Sequence, residues 1–212
     1  MEFENFKNRI SKLKKMALPG EMAHKKLAPF LRIEELSKIN VSERNPNEAG
    51  VMAVFYPGVE WETKLVLILR KTYKGVHSNQ IGFPGGRVEE IDKDLQETAL
   101  RETEEEVGIP KNNIQVLKKL TRLYIPPSNF WVQPFMGILE RTPVMVPQES
   151  EVEEILEVKL SDFMDDRNVI TENLSTSYAK NINVPAYKLN GHIVWGATGM
   201  MLSEIRELLL KI

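Results

Sequence analysis

The stretch from Gly85 to Pro110 constrains this chain more than any other, because it sets a run of like charges between two backbone breaks. Asp94, with Glu97 three residues later, makes a capping-box-like start, and Gly108 followed by Pro110 supplies a stop. The spacing therefore predicts a helix over residues 94–107. At about 100° per residue, Ala99, Leu100, Thr103 and Val107 form one stripe that can pack on a sheet, while Glu102, Glu105 and Glu106 cluster on an adjoining face. Carboxylates at i, i+3 and i+4 repel by roughly 0.2–0.5 kcal/mol per pair in water, and by more at the edge of a core. A hard divalent cation, Mg²⁺ or Mn²⁺, offsets that repulsion and commonly bridges to phosphate oxygens. The competing reading is a glutamate-rich helix facing solvent. The glycine pair Gly85-Gly86 favours the first, since a turn without side chains leaves room for a phosphate chain to approach the backbone.

The rest of the chain reads as strands around this helix. Phe3, Phe6, Ile10 and Leu13 at helical spacing predict an amphipathic helix over 3–16, ended by Leu18-Pro19-Gly20, with a second short helix over 21–28. Apolar runs at 51–57 and 64–70 predict a β-hairpin or two neighbouring strands, with both faces of the second at least partly buried. Further strands are expected at 114–124, 131–140, 154–160, 183–189 and 192–195, a short helix near 161–165, and a closing helix over 197–211 with Met200, Met201, Ile205, Leu208 and Leu209 on its apolar side. Two substantial helices among strands without βαβ alternation imply an α/β fold, a mixed sheet covered by helices on both faces. The expected organisation is a helical extension over 1–48 and one domain over 49–212.

Composition narrows the chemistry. The chain has no cysteine, so disulfides, thiolate catalysis and cysteine-ligated zinc are excluded, and any metal must sit on oxygen or histidine. A net charge of -2 gives no overall footprint for nucleic acid. No stretch reaches the roughly 20 apolar residues that span a bilayer, and the charged N-terminal decapeptide lacks a signal-peptide core, so no membrane partner and a cytoplasmic location are expected. Residues 1–32 are locally basic, with eight Lys or Arg against Glu2, Glu4 and Glu21. They form a solvated face or meet the phosphates of a small ligand.

The segment resembles the Nudix box, usually written G-x5-E-x7-R-E-U-x-E-E-x-G-U, in which U is apolar. Gly86, Asp92, Arg101, Glu102, Glu105, Glu106, Gly108 and Ile109 stand at its defining positions. Asp92 replaces the first glutamate, eight residues rather than seven separate it from Arg101, and Thr103 holds an apolar position. The aspartate and the extra residue are similar to the coenzyme A pyrophosphatase branch, as is Thr98-Ala99-Leu100-Arg101-Glu102. Upstream, that branch's L-L-T-x-R-[SA]-x3-R-x3-G-x3-F-P-G-G aligns at Leu67, Arg70 and Phe83-Pro84-Gly85-Gly86, and departs at Ile68, Lys71, Gly75 and Asn79. Leu18-Pro19-Gly20 with Ala23-His24, the run Ile125 to Phe130, and Trp195-Gly196-Ala197-Thr198 also look like it, so the resemblance covers nearly the whole chain.

The resemblance implies a Nudix-type α/β/α sandwich and a Mg²⁺- or Mn²⁺-dependent pyrophosphohydrolase. Coenzyme A is the favoured small-molecule substrate, cut to adenosine 3′,5′-bisphosphate and 4′-phosphopantetheine. Glu102, Glu105 and Glu106 would hold metal, and Arg101 would orient them unless it makes only a surface salt bridge. Arg70 and Arg87 flank the glycine turn and suit phosphate oxygens. His77 would meet the ribose phosphate or the adenine, or it is a hydrogen-bonded loop histidine. Glu149 and Glu151 are loop candidates for the general base, and Phe130 and Trp131 stack on a base or pack in the core. Other nucleoside diphosphate derivatives and triphosphates (ADP-ribose, dinucleoside polyphosphates, NTPs), or a catalytically silent ligand sensor, are the competing functions. Dimerisation is common in the family, so a homodimer is expected by analogy.

Overall fold

A computed structural model describes residues 1–30, 39–72, 79–174 and 181–212. Strand β1 (Asn47–Pro57) is the spine of the larger sheet. Along one edge it pairs in parallel with β7 (Phe130–Ile138) over nine residues. Its other edge is shared. Ala49–Val51 pair with β4 (Gly85–Arg87), and Phe55–Pro57 pair with β2 (Thr63–Arg70), both antiparallel. β1 and β2 thus meet only at one end and splay apart, and the short strands β3 (Ile81–Gly82), bonded to β2, and β4, bonded to β1, fill the gap. β8 (Val152–Lys159) flanks β2, and β5 (Gln115–Lys119) and β6 (Leu123–Ile125) share the far edge of β7. β9 (Val169–Leu174), β10 (Ile182–Leu189) and β11 (His192–Trp195) form a separate antiparallel sheet.

Both faces of the larger sheet are buried, which explains why 51–57 and 64–70 are continuous apolar runs rather than alternating ones. Ala53, Phe55, Leu65 and Leu67 face a cluster completed by helix α1 (Phe3–Ile10) and by Met200, Met201, Ile205, Leu208 and Leu209 of the closing helix. Met52, Val54, Val66 and Ile68 face a second cluster with Ala99 and Val107 of the acidic helix. These helices are numbered α2 (Glu21–Lys26), α3 (Leu95–Val107), α4 (Leu160–Met164) and α5 (Gly196–Leu209) after α1. Helices therefore cover both faces of a mixed sheet, as expected. Among the described residues no helix is long and apolar enough to cross a membrane.

Two expectations change, and one strand is added. The first helix is α-helical only to Ile10 and continues as a 3₁₀ segment over Ser11–Lys15. The tighter winding eclipses Ile10 and Leu13, and both are buried. The strand expected over 114–124 breaks between β5 and β6, because Thr121 gives its N–H (3.0 Å) and hydroxyl (2.5 Å) to the Glu204 carboxylate instead of a neighbouring strand. Glu204 is fully buried and also accepts from Gly20 N (3.1 Å), with His24 Nε2 at 3.3 Å. Burial pushes its carboxyl up, but the bonds from His24 and Thr121 outweigh this and leave it below the usual range. β9 carries no expectation at all, since Val169–Leu174 is a half-solvated strand with polar alternate positions, ordered by its pairing with β10.

Phe6 is 1% exposed and packs 5.1 Å, centroid to centroid, from Phe55 of β1. Phe6→Ala is expected to lower the unfolding free energy by about 3–5 kcal/mol in urea denaturation, the loss typical of a core phenylalanine. A loss under about 1 kcal/mol would instead make residues 1–48 a dispensable appendage.

Candidate active site

The acidic helix is fixed by its own sequence and by one close approach. Asp94 caps it through bonds from Gln96 N and Glu97 N (both 2.9 Å), and Gly108 closes it at φ +72°. It lies across β1 at Gly50, where an added Cβ would stand 2.2 Å from the Leu95 carbonyl oxygen. Gly50 is thus required for α3 to reach the sheet, a feature signalled in the sequence only by a lone glycine at the head of an apolar run. Ala99, Thr103 and Val107 face the sheet as expected. Thr103 tolerates its apolar position because its hydroxyl donates to the Ala99 carbonyl (2.6 Å).

Arg101 organises the acids. Its Nε and Nη2 grip Asp92 in a two-pronged pair (2.9 and 3.0 Å), Nη2 also donates to the Arg87 carbonyl (3.2 Å), and Nη1 reaches Glu102 (2.9 Å) and Glu105 (3.0 Å). Asp92 additionally accepts from Glu89 N and the Thr98 hydroxyl (both 2.9 Å). The Arg101 bonds hold its carboxyl down to about 2. Asp92 is the anchor that sequence reasoning left out of the site, although its place nine residues before Arg101 was visible. The surface-salt-bridge reading of Arg101 does not describe this geometry, since the residue is 9% exposed and bonded on every nitrogen.

Glu106 sits deepest, at 1% exposure. Gly85 N donates to Oε2 (2.8 Å), while Oε1 has Arg70 Nη1 at 3.0 Å but no directed hydrogen bond. Burial pushes its carboxyl up to about 7 against the pull of Arg70 and Gly85, and the charges of Glu102 and Glu151 push the same way as burial. Glu102 is raised too, again chiefly by burial. Its carboxylate lies over Gly86, where a Cβ would come within 2.5 Å of it. The room expected at that glycine for a phosphate chain is filled by a glutamate.

The remaining expected residues are distributed as follows. Arg70 is turned inward, donating to the Gly85 carbonyl (2.6 Å) beside Glu106. Arg87 points its side chain to solvent. His77 lies outside the described residues. Trp131 packs against Tyr124 (5.4 Å) and under the Arg122 guanidinium (4.9 Å). Glu151 belongs to a turn tied to α3, with Gln148 N donating to the Glu106 carbonyl (3.0 Å), Glu151 N to the Gln148 carbonyl (3.0 Å) and Lys71 N to the Glu151 carbonyl (2.9 Å). Glu149 is exposed on the same turn.

The donor set suits a hard divalent cation. It consists of carboxylate oxygens, one of which, Glu106 Oε1, is buried without a directed donor. Among the described residues no three acids or histidines converge on one point, because Arg101 and Arg70 supply the counter-charges.

Asp92 titrates below its ordinary 3.8, so its pair with Arg101 contributes stability that is complete above that value and is lost as pH falls towards about 2. Acid titration of the metal-free protein is expected to show this loss, and Asp92→Asn to be less stable at neutral pH with a flatter profile over that window. Parallel profiles for the two proteins would mean that the pair carries no stability.

Residues 46–173 match the NUDIX domain family. Relatives include Nudix hydrolase 22, chloroplastic, of Arabidopsis thaliana, 29% identical over 162 residues, covering 74% of this chain and 53% of that protein. The Nudix hydrolase NudL of Photorhabdus laumondii is 32% identical over 143 residues (68% and 75%). The peroxisomal coenzyme A diphosphatase ndx-8 of Caenorhabditis elegans is 26% identical over 152 residues (71% and 65%). The chain spans little more than half the length of the first of these relatives and about two thirds to three quarters of the other two. Among solved structures, the Nudix hydrolase RenU of M. smegmatis superposes with a TM-score of 0.54 at 12% identity, covering 79% of this chain and 88% of that one. With the box arginine and its three glutamates on α3 and the family matched over most of the sheet, this chain belongs to the Nudix family.

Proposed function

We propose that the chain is a divalent-metal-dependent pyrophosphohydrolase of nucleoside diphosphate derivatives, and that its substrate is coenzyme A or a coenzyme A thioester. The observation that carries the reaction class is Glu106, a carboxylate buried against the Gly85 amide with one oxygen lacking a directed donor. Arg70 and Gly85 offset the cost of burying this acid only in part, since its carboxyl is still pushed up to about 7, and such perturbed buried acids cluster at functional sites. Coenzyme A as the substrate is supported by the upstream signature and by the diphosphatase named among the relatives.

Glu102, Glu105 and Glu106 would hold the cation, Mg²⁺ or Mn²⁺. Bound there, it would neutralise the diphosphate and polarise its oxygens. Arg101 keeps Glu102 and Glu105 oriented from one guanidinium nitrogen, itself locked by Asp92. Arg70 meets a phosphate of the substrate: its fork now spans Glu106 and the Gly85 carbonyl, and an incoming diphosphate offers it the same bidentate geometry. Arg87, on the exposed end of the same short strand, adds an outer contact. Glu151 is favoured over Glu149 as the base that takes the proton of the attacking water, because its charge bears on both Glu102 and Glu106 and its turn is bonded to α3.

The test is product analysis with Mg²⁺ or Mn²⁺ against coenzyme A, ADP-ribose and a nucleoside triphosphate, with Glu106→Gln beside the wild type. Release of 4′-phosphopantetheine, falling by about 10²-fold or more in the variant, is expected. Cleavage of another substrate would retain the reaction and discard coenzyme A, and no cleavage at all would leave a ligand sensor. The same variant has a second readout. A carboxyl raised to about 7 makes the metal-free protein lose stability as pH climbs from its ordinary 4.5 through 7. Metal-free Glu106→Gln is therefore expected to melt no lower than the wild type at pH 8, and a lower melting temperature would show that the charge itself stabilises the fold.

A further inference from the structure

The apolar stripe of β2 runs out of the core into a cavity. Leu65 and Leu67 are fully buried, but Leu69, next on the same face, is partly exposed and forms one wall of a cavity of about 310 Å³. Ile81 and Gln80 line a second side, and His192, Ile193 and Trp195 of β11 line the opposite one. Both sides are fixed by backbone and buried bonds. Arg70 N donates to the Gln80 carbonyl (3.1 Å), and the buried Thr198 hydroxyl, in the first turn of α5, donates to the Ile81 carbonyl (2.9 Å). The cavity is therefore preformed, like most small-molecule sites.

Its chemistry selects a flat, uncharged ring. Trp195 and Ile193 give it an aromatic and aliphatic wall, and among the described lining residues there is no Lys or Arg to receive a phosphate. Glu154, 3.4 Å from His192, adds a carboxylate on that side that is repulsive to anions. Amides of Asn79 and Gln80 and the His192 ring give a polar rim suited to the edge of a nitrogen heterocycle. The cavity is also within reach of the acids. Ile81 precedes Gly85, the partner of Glu106, by four residues, which span at most about 14 Å. Arg70 follows Leu69 on β2, and its Nε lies 3.8 Å from where a Cβ on Gly82 of β3 would stand, so β3, which in the sheet is bonded to β2 alone, links the cavity to the acids.

We infer that the cavity between β3 and β11 is the base subsite, in which a purine of the substrate stacks on Trp195 while its diphosphate lies at Glu106 and Arg70. This rests on the diphosphate reading above, but its test does not need hydrolysis. The three tryptophans give three indole N–H signals in an NMR spectrum. Titration of the metal-free protein with adenosine is expected to shift the Trp195 signal and leave those of Trp61 and Trp131 in place. Trp195→Phe should retain adenosine binding, Trp195→Ala should weaken it about tenfold, as one lost base stack does, and Ile193→Arg should block it by filling the cavity. Circular dichroism separates these effects from unfolding, and Ile193→Arg carries the test if Trp195→Ala does not fold. Equal adenosine affinity in all variants, a shift at Trp131 instead, or a Trp195 shift produced by free pantetheine and not by adenosine would overturn the assignment. Adenosine binding at Trp195 in a protein that cleaves no diphosphate would sink the hydrolase reading and leave the subsite standing.

Discussion

The guanidinium of Arg101, locked to Asp92, is the interaction on which the arrangement of the acids depends. α3 carries Glu102, Glu105 and Glu106 on neighbouring turns, with Glu102 and Glu106 at the edge of a core, where like charges repel with little screening. Arg101 meets two of them from one nitrogen and spends its other two on Asp92 and the Arg87 carbonyl, so helix, preceding loop and β4 are joined through one planar group. A lysine in its place would offer a point charge without the fork. Glu106 is left to Arg70 and Gly85, and it is this acid that burial makes hardest to ionise.

That arrangement needs the splay of β1 and β2. Were the two strands paired along their full length, there would be no gap for β3 and β4, and Gly85 would not face α3. The same gap admits β3, whose Ile81 lines the cavity opposite Trp195. Glycines at positions 50 and 86 make the approach possible from either side, one accepting the helix backbone and the other a carboxylate. On the opposite face of the sheet, Glu204 does for the N-terminal segment what Arg101 does for the acids, binding Gly20, His24 and Thr121 to α5 through a single buried group with both oxygens satisfied.

Local signals were sufficient wherever the residues that define a feature lie within one or two turns of one another. The cap at Asp94, the stop at Gly108, the acid face of α3 and the run of β2 with both faces buried all belong to this class. Features that join distant residues were not legible. Thr121 breaks a strand for the sake of Glu204, 83 residues away. Arg70, expected to face phosphate, rests on a carboxylate 36 positions further on, and Gly86 accommodates Glu102 where open space was expected.

The sequence by itself therefore determined the family resemblance and an inventory of candidates: the acids of one helix, the arginines around it and the absence of any thiol. It could do so because helical periodicity and capping are short-range, set by i to i+4 geometry. Only the tertiary structure decided which acid is buried, which cation neutralises it, and that a half-exposed tryptophan from a separate sheet closes a cavity beside Arg70. Burial and counter-charge are properties of surfaces brought together from distant parts of the chain, and no local pattern encodes them.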